Sequence, residues 1–152
     1  MVARLRRKAT VNWVGSVREG VGKLALASQA APVMPISLDA RKAEAAPSTS
    51  PEEMLAASHA ACFAMSVRSV LDGAATKISA AANAVVDVEA TCVLAIDGTN
   101  WKIEESVLSV RISGLTQAQV SDVIETADQR CPISSALRGS VRITKIIAGA
   151  AQ

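Results

Sequence analysis

One long apolar helical pattern constrains this chain more than any other feature. Ser50-Pro51-Glu52-Glu53 reads as a helix start: Ser50 can cap, Pro51 suits the first turn, and Glu53 stands where a capping box places its carboxylate. The pattern predicts a helix to Asp72, with Gly73 as its stop. Met54, Leu55, Ala56, Ala57, Ala60, Ala61, Phe63, Ala64 and Met65 leave its first turns almost no polar face, so the helix must be enclosed on several sides. At about 1.5 Å per residue it is roughly 30 Å long, more than one small sheet can wrap. A second subunit would help to cover it. The most apolar stretch, Met54 to Val67, is interrupted by Ser58, His59 and Ser66 and falls short of the roughly 20 residues a bilayer needs. A buried helix is expected, and no membrane partner.

The flanking segments read mostly as strands. Val11, Trp13 and Val17 alternate with polar residues, Arg18 to Gly22 supplies a turn, and Leu24 and Leu26 resume the alternation, which predicts a hairpin. Ile36 and Leu38 suggest a third short strand, at an edge because Pro32 and Pro35 remove ladder donors. Arg41 to Ser50 has no period and is expected as a loop. Beyond the helix, Val86, Val88, Ala90, Cys92, Leu94 and Ile96 alternate up to Asp97-Gly98, a hairpin signal, and Trp101 opens the return strand toward Ile112. Thr116 to Arg130 carries Leu115, Val120, Val123, Ile124 and Ala127 at helical spacing; Cys131-Pro132 breaks it, a short helix reaches Leu137, and Val141, Ile143 and Ile147 suggest a final strand. The sum is an α+β fold, antiparallel sheets around a long buried helix, expected as a single domain over residues 1–152.

Composition narrows the function classes. The net charge is only +2, with much of the excess in Arg4, Arg6, Arg7 and Lys8, and Trp13, Phe63 and Trp101 are the aromatic residues. Such a chain has neither the basic footprint nor the stacking platform of a nucleic-acid binder. The basic start runs into Thr10, Asn12 and Trp13 in place of an apolar signal core, so a cytoplasmic, reducing compartment is expected. There a cysteine pair is more often catalytic, redox-sensing or metal-binding than structural.

Cys62, Cys92 and Cys131 must be sorted on that basis. Alone, Cys62 in mid-helix reads as packing, because burial raises a thiol's pKa and leaves it inert. Cys131 precedes Pro132 at a helix break, where backbone N–H groups at the start of the next helix favour a thiolate. A second thiol within reach would trap a sulfenic acid as a disulfide. Cys92 lies on the apolar face of its strand with Val88, Ala90 and Leu94 and reads as core. His59, three residues before Cys62, raises a Cys-His pair or a metal site, but no CxxC or HxxxH spacing supplies further zinc ligands, and a structural or interfacial role is expected. Phe63, Met54 and Met65 could line an apolar pocket, although such a set is more often simple core.

Two motifs carry a family resemblance. Ser50 to Met65, SPEEMLAASHAACFAM, and Cys131-Pro132-Ile133-Ser134, with the order of elements around them, resemble the OsmC/Ohr proteins, named for osmotic induction and organic hydroperoxide resistance. The resemblance implies an intertwined homodimer with its active site at the subunit interface. It implies Cys62 as the peroxidatic and Cys131 as the resolving cysteine. Arg41 matches the active-site Arg of the OsmC branch, with Arg18 as the alternate from the Ohr branch, and Glu52 matches the Glu that holds that Arg.

The implied function is a thiol peroxidase that reduces organic hydroperoxides through a Cys62 sulfenic acid and a Cys62–Cys131 disulfide, with a small or protein-bound dithiol, such as a lipoyl group, as reductant. No cofactor or metal is expected. A guanidinium stabilises a thiolate and cannot lose its proton at working pH. If the helix is uninterrupted, Glu52 lies about 15 Å along its axis from Cys62 and would serve the partner subunit's thiol. The competing reading is a redox sensor or apolar-ligand-binding protein without turnover.

Overall fold

The computed structural model describes residues 3–44, 48–74 and 78–148, and the chain divides into two compact units, Met1–Pro51 and Glu52–Gln152. The first unit holds an antiparallel sheet in the order β1-β2-β3: β1 (Ala9–Val14), β2 (Val21–Leu26) and β3 (Met34–Ile36). The predicted hairpin and edge strand are both present. Its turn lies earlier than predicted: Gly15 at φ +92° leaves the strand, so Val17 falls in the turn, closed by the Gly20 N–H donating to the Ser16 carbonyl (2.8 Å). Gly22 belongs to β2, where an added Cβ would stand 2.7 Å from Ile36 and 2.8 Å from Trp13.

The segment predicted as a loop from Arg41 begins inside a short helix, α1 (Leu38–Lys42). Ser37 explains it: its hydroxyl accepts the Ala40 N–H at 3.2 Å and turns the chain out of the strand before Leu38. The cap was readable in the sequence but hidden by the Ala-rich run behind it.

In the second unit α2 (Pro51–Ala74) is a single uninterrupted helix that passes through Gly73, while α3 (Ser79–Ala82), β4 (Val86–Asp97), β5 (Asn100–Ile112), α4 (Gln117–Arg130), α5 (Pro132–Leu137) and β6 (Arg142–Ile147) follow. Arg68 fastens α2 to the α3 region through the carbonyls of Ala81 (2.8 Å) and Ala84 (3.2 Å). The long hairpin keeps its predicted turn, with Asp97 opposite Asn100, and a register shift at Val93/Leu94 bends β4. Thr116 and Gln119 form a reciprocal capping box on α4. Antiparallel pairing holds throughout the first sheet and for β4–β5, whereas β6 runs parallel to β5 because α4 and α5 carry the chain back to the end where β5 began.

The core of this unit joins Phe63, Val67 and Leu71 of α2 to Leu108, Val110 and Ile112 of β5 and to Val120, Ile124 and Ala127 of α4. By length and apolarity α2 could span a bilayer, yet His59, Phe63, Val67 and Leu71 are fully buried in protein. They form one stripe at four-residue spacing. The other faces are half-covered or open, Met65 being 68 % exposed, so within one chain the helix is not enclosed on several sides.

Leu71→Ala should lower unfolding stability by about 2–5 kcal/mol in urea melts. Leu5→Ala, at an exposed position, should change it by less than about 0.5 kcal/mol.

Candidate active site

Cys62 sits beside the buried stripe of α2, half-exposed between Ala61 and the fully buried Phe63. Cys131 is fully buried at the junction of α4 and α5. Its backbone is extended (φ −74°, ψ 114°), as a residue before proline should be, and Pro132 opens α5 where a missing N–H costs nothing. The two sulfurs are 3.2 Å apart. Spacing along the chain could not show that they meet; the packing of α4 on α2 and β5 does it.

The sulfurs are electrostatically unequal. Burial pushes the Cys131 thiol up, but the N–H of Ser134 (3.5 Å), the Ser134 hydroxyl, the Cys62 thiol and the N–H of Ile133 together outweigh it and lower its pKa. Burial likewise raises the Cys62 thiol; the Ile133 N–H opposes this, and the nearby Cys131 sulfur raises it further. With more donors aimed at Cys131, that sulfur is the more acidic of the pair. The two titrate as a unit.

His59, one turn before Cys62, is fully buried. Its Nδ1 lies 2.7 Å from Ser106 Oγ and its Nε2 2.9 Å from Ser134 Oγ, and its ring meets Phe63 edge-on. Burial lowers its pKa, while the Asp128 carboxylate opposes this. Asp128, buried on α4, accepts from Arg138 (3.0 Å) and Lys145 (3.3 Å) through Oδ2, and Lys145 also reaches Glu125 at 2.9 Å. Burial raises the Asp128 carboxyl, but Arg138, the Ser134 hydroxyl and Lys145 prevail and hold it below its usual range.

The direct Cys-His pair weighed from the sequence is therefore replaced by bonds from His59 to two serines. Among the described residues no group of three or more His, Cys, Asp and Glu converges as a metal site. Ser106 and Asp128 are not singled out from the sequence, and Ser134 stands there only as the last residue of the Cys131 motif. Their signal was there: Ser106 interrupts the buried alternation with Leu108 and Val110, and Asp128 stands four residues after Ile124 on the apolar stripe of α4.

Of the remaining expected site residues, Glu52 is buried near the start of α2, and its carboxylate acts on Cys92. Burial and then Glu52 raise the Cys92 thiol, in keeping with a packing residue. Arg41 lies in the first unit, where it lines an apolar cavity of about 360 Å³ with Trp13, Val17, Ile36, Leu38 and Pro51. Arg18, in the β1–β2 turn, does not line that cavity.

These two sheets and the helix bearing one of two adjoining thiols define an α+β thiol protein, and comparison with known proteins identifies the kind. The profile of the family described as OsmC-like protein matches residues 43–145. The chain belongs to this family. The match takes in Glu52, His59, Cys62, Cys131 and Ser134 and begins just after Arg41.

Among similar proteins, the peroxiredoxin OsmC of Escherichia coli (strain K12) is 27% identical over 142 residues, 91% of this chain and 94% of that protein. The organic hydroperoxide resistance protein of Xanthomonas axonopodis pv. citri (strain 306) is 28% identical over 100 residues, 66% of this chain and 67% of that one. The fold matches that of an organic hydroperoxide resistance protein OsmC from Legionella pneumophila, with a TM-score of 0.74 at 21% identity, over 97% of this chain and 100% of that one. An organic hydroperoxide resistance protein from Elizabethkingia anophelis gives 0.74 at 24% identity, over 98% and 99%.

A carboxylate whose pKa is lowered by folding stabilises the fold above its unfolded value, near pH 4, and loses that contribution as pH falls through the depressed value. Asp128→Asn should therefore be less stable than the unmodified chain at neutral pH, with the gap closing as the pH drops below about 4, measured by urea unfolding across that range.

Proposed function

We propose that this protein is a cytoplasmic thiol peroxidase that reduces organic hydroperoxides to alcohols. The observation that carries this reading is the sulfur pair, one thiol half-exposed and the other buried with its pKa lowered, 3.2 Å apart. The names of its relatives, a peroxiredoxin and organic hydroperoxide resistance proteins, support it.

Accessibility supports the roles. A peroxide can reach Cys62 but not the fully buried Cys131. The Cys62 sulfur attacks the terminal peroxide oxygen while Cys131, the base of the pair, draws on its proton; the O–O bond breaks, and the alkoxide leaves with that proton as the alcohol. Cys62 is then a sulfenic acid. The Cys131 thiolate attacks it, an S–S bond forms, the S–O bond breaks, and hydroxide takes a proton from solvent to leave as water. Two thiols have supplied the two electrons. A small or protein-bound dithiol then reduces the disulfide by exchange.

In this reading Arg41, set among apolar side chains, is the guanidinium that stabilises the Cys62 thiolate and the peroxide oxygens, and the cavity it lines suits an alkyl chain. The protein acts as a homodimer, supported by the exposed apolar faces of α2. Glu52 stands about 15 Å from Cys62 along an unbroken helix, so it serves the partner subunit's thiol.

Cys62→Ser should abolish turnover of an alkyl hydroperoxide with a dithiol donor. Cys131→Ser should allow one turnover that ends in sulfinic acid, read by intact mass. Equal, undiminished activity in both variants would sink the assignment, and a single equivalent consumed by the unmodified chain would mark a sensor. Arg41→Ala should lower kcat/KM by at least about 100-fold, of the order seen on removing an electrostatic catalytic group, with Arg18→Ala near unchanged.

A further inference from the structure

The peroxidase reading leaves a fully buried, titratable side chain unused, one turn from Cys62. His59 bonds to neither cysteine, but both its nitrogens are engaged, by Ser106 from β5 and by Ser134 from α5. Ser134 is shared: its backbone N–H donates to the Cys131 sulfur at 3.5 Å, and its hydroxyl acts on that sulfur too. His59 and Cys131 thus meet at one residue, His59 at the Ser134 hydroxyl and Cys131 at the Ser134 N–H.

A serine hydroxyl has one proton to give. Were His59 Nε2 unprotonated, it would take that proton from Ser134, and the hydroxyl would present only lone pairs to Cys131. If Nε2 carries the hydrogen, it donates to Ser134 Oγ, and the Ser134 proton turns to another acceptor. The charged groups near Ser134 decide between these states, because hydrogen bonds to anions are about twice as strong as those between neutral groups. Ser134 faces Asp128 and Cys131. Ser106, bonded to no charged group among the described residues, gives its own proton to Nδ1. Burial keeps the ring neutral, so the two tautomers are the states at issue.

We propose that His59 is a positioning residue for the resolving thiol: its Nε2–H donates to Ser134 Oγ and turns the Ser134 hydroxyl onto the Cys131 sulfur, favouring charge there. Its part in disulfide closure rests on the peroxidase reading. The tuning of Cys131 does not.

The other charged groups around the chain are consistent with this. Asp128 from α4 is the rival acceptor for the Ser134 hydroxyl, and its charge would oppose a thiolate. Its Oδ2 is occupied by Arg138, which follows α5, and by Lys145 of β6, itself shared with Glu125 of α4. Its Oδ1 is buried without a well-formed hydrogen bond. Once Cys131 enters a disulfide and stops being a charged acceptor, that oxygen is where the Ser134 proton turns.

In a Cys62→Ser, Cys92→Ser background Cys131 is the sole cysteine, and ultraviolet thiolate absorbance against pH reads its ionisation with no peroxide present. His59→Leu and Ser134→Ala should each raise the midpoint by about one pH unit, a tenfold change in the ionisation constant. His59→Gln, whose amide can replace the Nε2–H donor, should keep it near the parent value. With all thiols restored, His59→Leu should slow closure of the Cys62–Cys131 disulfide about tenfold after one equivalent of hydroperoxide, the same factor as the loss of thiolate. An unchanged midpoint in His59→Leu and Ser134→Ala overturns the proposal, as does an equal rise in His59→Leu and His59→Gln. Should His59→Leu fail to fold, Ser134→Ala, which keeps the backbone N–H, decides alone. If the midpoints shift as expected but no peroxide is consumed, the peroxidase reading fails while the tuning of Cys131 stands.

Discussion

Burial of one stripe of α2 against β5 and α4 is the constraint on which the site depends. His59, Phe63, Val67 and Leu71 all lie on that stripe and are fully buried, so the rotation of the helix about its axis is fixed. Cys62 neighbours Phe63 and inherits that rotation, which sets its sulfur at the margin of the core. Cys131 is placed by a separate device, the break between α4 and α5, whose preceding turns are anchored by Val120, Ile124 and Ala127 in the same core. Neither sulfur could shift by an ångström without disturbing packed neighbours, because interiors at close-packed density transmit displacement instead of absorbing it.

Ionisation and access are divided between the two sulfurs. Burial raises the half-exposed Cys62 thiol, and the more acidic Cys131 thiol is out of reach of solvent. The two are held at 3.2 Å, so each has the other within reach. The donors that make Cys131 acidic are largely backbone N–H groups of the first turn of α5, which need no reorganisation when charge develops there. In the proposed cycle the oxidised Cys62 would form beside the more acidic thiol of the pair, which favours closure over further oxidation.

Much of this was legible in the sequence. The helix start at Pro51, the Asp97-Gly98 hairpin and the break at Pro132 each rest on local backbone chemistry, and each lies where that chemistry put it. The β1–β2 turn and α1 were misplaced because Gly15 and Ser37 act through single dihedral or capping preferences that composition around them obscured. The parallel pairing of β6 depends on where two helices deliver the chain, which no local pattern records. Among site residues, the cysteines stood out by type. Ser106, Ser134 and Asp128 did not, because a polar residue at a buried position identifies itself only when its partner, here His59 or Lys145, is known to face it.

The same helix carries an unsatisfied requirement. An α-helix apolar on most of its faces is stable in water only if those faces are covered, and within one chain only a single stripe is. Open faces of this kind favour a second copy, and the proposed dimer would cover them. The Ile133 N–H acts on both sulfurs, whereas the Ser134 donors act on Cys131 alone. In the proposed reading a guanidinium at Cys62 would lower the thiol that burial raises. Attack on peroxide calls for charge on Cys62, and resolution calls for charge on Cys131. In the proposed cycle the cation would favour charge on Cys62 for attack, and Ser134, with His59 behind it, would favour charge on Cys131 for resolution.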